Sequence, residues 1–317
     1  MEDGFGRPLK SLRISVTGEC NLSCFYCHRE GLEGGGRRME AWEIGRIAEV
    51  ACGLGMGKVK LTGGEPLLRQ DLEEIVREVS SSSEEVSMVT NGIGLKERAS
   101  GLAEAGLKRV NVSLDTLNPE KYAKLTGVRA LDGVLDGIRA ALDAGLHPVK
   151  LNMLLLRGIN EEEVDEMVEF ARRMGLKLQL LELIRLPTDP PEIYERFHVD
   201  LSGIEERLKE RGRMRVRKEL HARRVYELDG VEVEVVRPMH NSEFCLHCTR
   251  LRLTHDGYLK PCLMRNDNLV DVLSPLREGK EDGVREAFEL AVRRRRPYFG
   301  MVKQGFIIFR GMGGEGR

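Results

Sequence analysis

The stretch Leu12-Arg13-Ile14-Ser15-Val16-Thr17-Gly18-Glu19-Cys20-Asn21-Leu22-Ser23-Cys24-Phe25-Tyr26-Cys27 decides the fold. It opens as a strand-like run over 12–17 and breaks at Gly18 into a loop carrying three cysteines spaced C-x3-C-x2-C. A reactive loop directly after a strand belongs to a parallel α/β sheet, where functional groups gather at the carboxyl ends of the strands. Working outward, further strand-like segments fall at 58–62, 85–90, 109–114, 148–155 and 178–183. Helix-like stretches lie between them at 40–51, 72–79, 96–104, 131–144 and 161–174. Gly106, Gly145 and Gly175 sit where helix C-caps are expected, and Asn160 is placed to cap the helix after it. Six alternating units imply a parallel sheet with right-handed crossovers, short of the eight of a closed barrel. The fold class is therefore α/β, a partial (β/α)6 TIM-like barrel. Gly63–Pro66, Thr90–Asn91 and Ser113–Asp115 all follow or end strands, as the cysteine loop does.

After about residue 210 the pattern changes. Two strands are expected over 223–236 around Asp229-Gly230, a hairpin turn signal. A second such pair is expected over 251–263 around Asp256-Gly257, and a charged helix over 283–295. A chain of 317 residues accommodates a large domain and a smaller one. The division expected is 1–210 for the barrel and 211–317 for a smaller α+β region with its own cysteines. With 50 basic against 51 acidic residues, a general nucleic-acid-binding role is not expected. The run Arg293 to Arg296 reads as a solvated helix end. Residues 1–10 lack the apolar stretch of a signal peptide, and no run of about 18 apolar residues suggests a membrane span. The expected location is cytoplasmic and reducing, where clustered cysteines serve as metal ligands rather than disulfides.

Cys20, Cys24 and Cys27 suit three corners of a cubane iron–sulfur cluster, leaving one iron open to grip a small molecule. The alternative is a zinc site completed by His28. Gly63-Gly64-Glu65-Pro66 places two glycines where backbone must approach something closely, with Pro66 fixing the exit. Cys245, Cys248 and Cys262 form C-x2-C-x13-C bridged by the second hairpin. With His240, His247 and His255 nearby, zinc and iron–sulfur stand equally here. Arg250 and Arg252 alternate on a strand beside this hook, so both point to one face, and their forks suit phosphate or a purine edge. Cys52 reads as a buried helix residue.

Taken together, the first cysteine loop with Tyr26 and the Gly-Gly-Glu-Pro turn resembles the radical S-adenosylmethionine superfamily. Two three-cysteine sets with C-x2-C-x-R-x-R resemble one family within it, the GTP 3′,8-cyclases of molybdenum cofactor biosynthesis. The likeness runs from the first strand to Cys262 and includes Lys60–Pro66, Val89–Gly92, Val112–Asp115 and Val149–Asn152. It implies two [4Fe-4S] clusters, with S-adenosylmethionine held at Tyr26, Gly64 and Ser113. It implies GTP contacts from Arg13, Lys60, Thr90, Lys150, Arg250, Leu251 and Arg252, with Lys58 adding charge. Lys60 stands where an arginine is usual, keeping the charge and losing the fork. The implied lyase reaction abstracts the ribose 3′ hydrogen, joins C3′ to C8 of guanine and yields 3′,8-cyclo-7,8-dihydro-GTP, the second cluster holding guanine. A downstream cyclic pyranopterin monophosphate synthase is implied as a partner; the electron donor is unspecified, and both monomer and homodimer are compatible. Two positions depart from the family: Gln179 replaces an arginine and Ile184 a methionine. The Gly-Gly tail is Gly313-Gly314, followed here by Glu315-Gly316-Arg317. The competing readings are a peptide-modifying radical enzyme with an auxiliary cluster and a non-catalytic zinc or iron–sulfur protein.

Overall fold

Leu12 and Ile14 are fully buried while Arg13 between them is only partly so, and that alternation organises the molecule. The computed structural model describes residues 1–31, 36–218 and 221–299, with the backbone of 302–303 and 306–307. Gly313-Gly314 lies outside the described residues. The barrel strands are β1 (Ser11–Ser15), β2 (Lys58–Thr62), β3 (Glu85–Thr90), β4 (Leu107–Ser113), β5 (Lys150–Leu154) and β6 (Lys177–Leu181). Between them run α1 (Ala41–Gly53), α2 (Leu72–Ser80), α3 (Leu95–Glu104), α4 (Pro119–Thr126), α5 (Leu131–Asp143) and α6 (Val164–Met174). The helices present apolar stripes toward the sheet, clearest at i, i+3, i+4 and i+7 spacing on α2 and α6. On α2 this is Leu72, Ile75, Val76 and Val79; on α6, Val164, Met167, Val168 and Ala171. Full burial of each such side chain contributes about 1.5–3 kcal/mol.

The chain continues with α7 (Pro191–Phe197), α8 (Ser202–Arg211), β7 (Arg213–Arg217), β8 (Arg223–Leu228) and β9 (Val231–Val236). Then come α9 (Ser242–Leu246), β10 (Arg250–Leu253), β11 (Tyr258–Lys260), β12 (Val270–Asp271), α10 (Leu273–Arg277) and α11 (Glu281–Arg293). These strands do not form a separate sheet. One 12-stranded sheet runs β12-β11-β10-β1-β2-β3-β4-β5-β6-β9-β8-β7. β10 pairs parallel with β1 and β9 parallel with β6, so the last third of the chain extends the six-stranded barrel at both edges. The expected boundary at 210 falls at the end of α8, and strands from either side of it share the sheet.

Register fixes what faces inward. Arg13 lies beside Lys60 on one side and Arg252 on the other, Asn111 beside Lys150, and Gln179 beside Glu234. Their neighbours Leu12, Leu61, Val112, Leu151, Leu180 and Val235 point outward into the helix-covered core. A closed barrel fills its interior with branched apolar side chains; this one keeps a polar, charged lumen. Two expectations are corrected. Asn160 does not cap α6: its amide donates to Asp115 O (2.7 Å) and Leu154 O (2.8 Å) and its Oδ1 accepts from Leu156 N, tying β5 to the end of β4. Arg295 is not solvated; it is 1% exposed.

Candidate active site

The first cysteine loop is fastened to the strand ends around it. Gly64 N donates to Thr17 O (2.8 Å) and Glu65 N to Glu19 O (2.7 Å). A Cβ on Gly64 would meet Glu19 O at 2.0 Å, so this glycine lets the turn lie directly on the segment leading into the cysteines. Glu65 in turn accepts from Thr90 Oγ1 (2.7 Å) and Asn91 N (2.6 Å), and Asn91 Nδ2 donates to Asn21 Oδ1 (2.7 Å) inside the cysteine loop. Burial pushes the Glu65 carboxyl up to about 7, against those donors. The far side is held by Tyr26, whose hydroxyl donates to Asp115 at the end of β4, while Ser23 N donates to Thr126 O (2.9 Å). Burial raises the Asp115 carboxyl to about 6.

Cys20 and Cys27 are exposed and Cys24 is partly so, and all three are free thiols. Burial pushes Cys24 up to about 11, with Asp115, Cys27 and Cys20 adding to the shift, so the three sulfurs share one neighbourhood. Backbone N–H groups already point at two of them, Leu22 N at Cys20 Sγ (3.4 Å) and Arg29 N at Cys27 Sγ (3.5 Å). A zinc ion at about 2.3 Å from each sulfur would require them within about 3.8 Å of one another. Among the described residues no group of three His, Cys, Asp or Glu side chains is arranged to hold a single metal ion. Three thiols from one loop supply three soft donors, which suit three corners of a cubane cluster.

Below the loop lies a cavity of about 850 Å³ within the barrel. Arg13, Lys60, Lys150, Arg250 and Arg252 line it, together with Tyr26, Ser113 and Cys27 at one end and Cys245, Cys248 and Cys262 at another. Lys58 also reaches it. Not every expected residue does. Leu251 is fully buried in the outer core, Thr90 is engaged by Glu65, and Gly64 lies against Thr17–Glu19. Sequence reasoning missed Arg223, on β8, and His221, both buried on the cavity wall. It also missed two carboxylates. Glu30 pairs with Arg13 (3.5 Å) and Arg252 (3.3 Å), and Glu234 pairs with Lys150 (3.2 Å) and Arg223 (3.5 Å). The only signal for Glu234 was its place in the alternation Val231-Glu232-Val233-Glu234-Val235. Gln179 bridges Asn111 and Glu234 by its amide rather than presenting a cation.

Cations outnumber these carboxylates, and the titration behaviour records the crowding. Burial, with Arg13, Arg109 and Lys150 adding to it, holds the Lys60 ammonium well below its ordinary value. Burial lowers Arg13 to about 10, and it pushes Arg250 well down with Arg223 and Arg13 contributing. Glu30 and Glu234 each fall to about 2: burial works against ionisation, but the surrounding cations outweigh it. A near-neutral protein therefore focuses positive potential in one desolvated cavity, which is a site for a polyanion.

At the second hook, Asn241 Oδ1 caps α9 by accepting from Phe244 N (3.0 Å), which places Cys245 within that helix and Cys248 just beyond its end. Burial raises Cys245 and Cys262, opposed by N–H groups of Phe299 and Tyr298 at the first and of Met264 at the second. Cys248 is different: burial would raise it, yet Arg295, the Arg250 N–H, and the charges of Arg250 and Arg7 bring it below the ordinary thiol value. Each sulfur thus meets at least one backbone donor, the environment of a thiolate ligand. His247 Nδ1 is engaged with Glu243 O (2.9 Å), and the His240 ring packs on Phe299.

A parallel barrel with three loop cysteines after its first strand and a glycine turn after its second defines a radical S-adenosylmethionine enzyme. The Radical SAM superfamily model matches residues 14–171, and the Molybdenum Cofactor Synthesis C model matches 176–301. A probable GTP 3′,8-cyclase of Methanothermobacter thermautotrophicus is 48% identical over 94% of this chain and 99% of its own length. One of Pyrococcus abyssi is 49% identical over the same shares, 94% and 99%. The chain belongs to the GTP 3′,8-cyclase family. Among solved structures, Streptococcus suis SuiB bound to S-adenosylmethionine covers 89% of this chain and 68% of its own at a TM-score of 0.66, with 18% identity, a likeness of fold.

Proposed function

We propose that this chain closes a bond between C3′ of the ribose and C8 of guanine in GTP, giving 3′,8-cyclo-7,8-dihydro-GTP. The observation that carries the reading is the cationic cavity joining two cysteine sites that stand at the adjacent strands β1 and β10. When bound, a reduced [4Fe-4S] cluster on Cys20, Cys24 and Cys27 splits S-adenosylmethionine and supplies the hydrogen-abstracting radical. Tyr26, Gly64 and Ser113 would position that cofactor. Arg13, Lys60, Lys150, Arg250 and Arg252 would hold the triphosphate and ribose, with Thr90 and the backbone of Leu251 behind them. Arginine forks fix phosphate orientation as well as charge, and fixing the nucleotide dry and close to the reacting carbon is most of what the protein contributes. A second [4Fe-4S] cluster on Cys245, Cys248 and Cys262 would engage guanine. The cationic lumen suits a triphosphate better than a peptide. We place the barrel in 1–210 and the guanine end in 211–317, and we take a pyranopterin-forming synthase as the consumer of the product.

Anaerobic incubation with GTP, S-adenosylmethionine and dithionite tests the reading. Expected is 5′-deoxyadenosine formed in step with GTP loss; 5′-deoxyadenosine without GTP consumption overturns it.

Glu30 supplies a second test. Its carboxylate sits where a phosphate would, on Arg13 and Arg252. Removing one partner of a fully buried pair destabilises by about 3–5 kcal/mol, and this partly buried one stands below that range. Glu30→Gln is therefore expected to lower the thermal midpoint of the free protein, and saturating GTP is expected to restore most of the loss. A deficit that GTP leaves untouched would mean that Glu30 and the triphosphate do not share these arginines.

A further inference from the structure

Behind the second hook lies a charge network that no motif marks. Asp3 and Arg295 have fully buried side chains and form an ion pair at 2.9 Å. Asp3 also pairs with Arg7 (2.8 Å), whose side chain is 5% exposed. Both guanidiniums then reach the hook itself. Arg7 Nη1 donates to Cys245 O (2.9 Å) and Arg295 Nη2 donates to Cys248 O (2.6 Å), while Arg295 Nη1 donates to Arg7 O (3.3 Å). The Nε of Arg295 is buried without a partner. The first segment of the chain and the residue beyond α11 thus clamp the same two cysteines.

Two guanidiniums and one carboxylate leave this network with a net positive charge. In a low-dielectric interior an uncompensated cation is unfavourable, and it acts strongly on any charge nearby. Three thiolates around an oxidised [4Fe-4S] core carry one net negative charge, and the reduced core carries two. The network is therefore matched to a cluster on the hook and favours its reduced form. Hydrogen bonding and local charge are levers by which a protein sets the potential of such a cluster.

We propose that Arg7 and Arg295, joined by Asp3, are positioning residues that hold the Cys245–Cys248 hook and raise the reduction potential of the cluster bound there. The inference rests on the reading of Cys245, Cys248 and Cys262 as ligands of a second cluster. The redox step is the gain of one electron by that cluster, supplied in the test by dithionite.

The experiment uses the full chain carrying Cys20→Ser, Cys24→Ser and Cys27→Ser, so that only the second cluster reports. Iron content is measured first, and the potential is then followed by electron paramagnetic resonance during anaerobic titration. Arg295→Gln is expected to shift the reduced-to-oxidised ratio at a given potential about tenfold toward oxidised, about 59 mV for one electron. Asp3→Asn is expected to shift it the opposite way by a smaller amount, and Arg295→Lys to stay near the parent. Opposite signs are the test, since a purely structural role would move the two charge-removing variants together. A common direction, or no movement with iron retained, overturns the proposal. Should Arg295→Gln lose its iron, Asp3→Asn decides alone: an upward shift supports the proposal, and an unchanged or lowered potential overturns it. A parent that takes up no iron removes the second-cluster reading itself, a failure visible before any residue of the network is changed.

Discussion

Cys24→Ser is expected to abolish S-adenosylmethionine cleavage while leaving the barrel folded. Cys24 lies in a loop held by Tyr26 on Asp115, by Ser23 on Thr126 and by Asn21 on Asn91, none of which needs its sulfur. A serine hydroxyl keeps the volume and loses the soft thiolate that iron requires. Iron after reconstitution should fall from about eight to about four per chain if each site holds a four-iron cluster. 5′-Deoxyadenosine formation should drop to the uncatalysed background, a loss far larger than any substitution in the cavity wall would cause. Circular dichroism should be close to the parent. Retained cleavage in this variant would remove Cys24 from the ligand set. Because burial and neighbouring charge hold this thiol near 11, cluster loading must displace protons, and loading should proceed faster as pH rises from 7 toward 9.

Arg252→Ala is expected to weaken GTP binding about 100-fold. Arg252 faces the lumen from β10, registered with Arg13 on β1, and shares Glu30 with it. Truncating a desolvated, hydrogen-bonded charge contributes a loss of about 2–5 kcal/mol, and a factor of 100 corresponds to about 2.7 kcal/mol. Arg252→Lys should recover only part, because an ammonium replaces the charge without the planar fork. Anaerobic titration calorimetry with GTP reads the effect directly. If Arg252 binds the ground and transition states alike, turnover at saturating GTP should survive. Unchanged affinity would place the triphosphate elsewhere in the cavity.

Much of the barrel was legible because each of its strands and helices carries its own periodicity. The strands at 58–62 and 85–90 were placed to the residue, and the other barrel strands to within two at each end. Helix α4 was missed between Asp115 and Leu131, although Asn118-Pro119 is a helix-start signal and Asn118 Oδ1 does accept from Glu120 N and Lys121 N. What periodicity cannot reveal is which strand becomes whose neighbour. The parallel pairing of β10 with β1 and of β9 with β6 is a long-range choice, and it is what brings Arg250, Arg252 and Glu234 into the lumen. Arg295 was misjudged for a different reason, since a run of four arginines reads as solvated whichever member turns inward. The spacing did hold a clue: Phe288, Ala291 and Val292 form the buried stripe of α11, and position 295 continues it. The two cysteine sets were legible because their spacing is local. Their supports, Asp3, Arg7 and Arg295, are scattered over nearly the whole chain.

The place of β1 in the sheet also fixes an order of assembly. Ser11 pairs with Lys58 on one side and with Arg250 on the other. During synthesis at about 5–20 residues per second, the second edge of β1 therefore stays unpaired for on the order of tens of seconds. An open strand edge, with its backbone N–H and C=O groups unpaired, is a template for pairing with the wrong chain. The first cysteine loop, the proposed site of radical generation, is complete early, beside that bare edge, whereas the proposed triphosphate cage lacks Arg250 and Arg252 until the last parallel strand of the sheet emerges. In a nascent chain halted before β10, the first cysteine loop is present and two of the five cations proposed to hold the substrate are not.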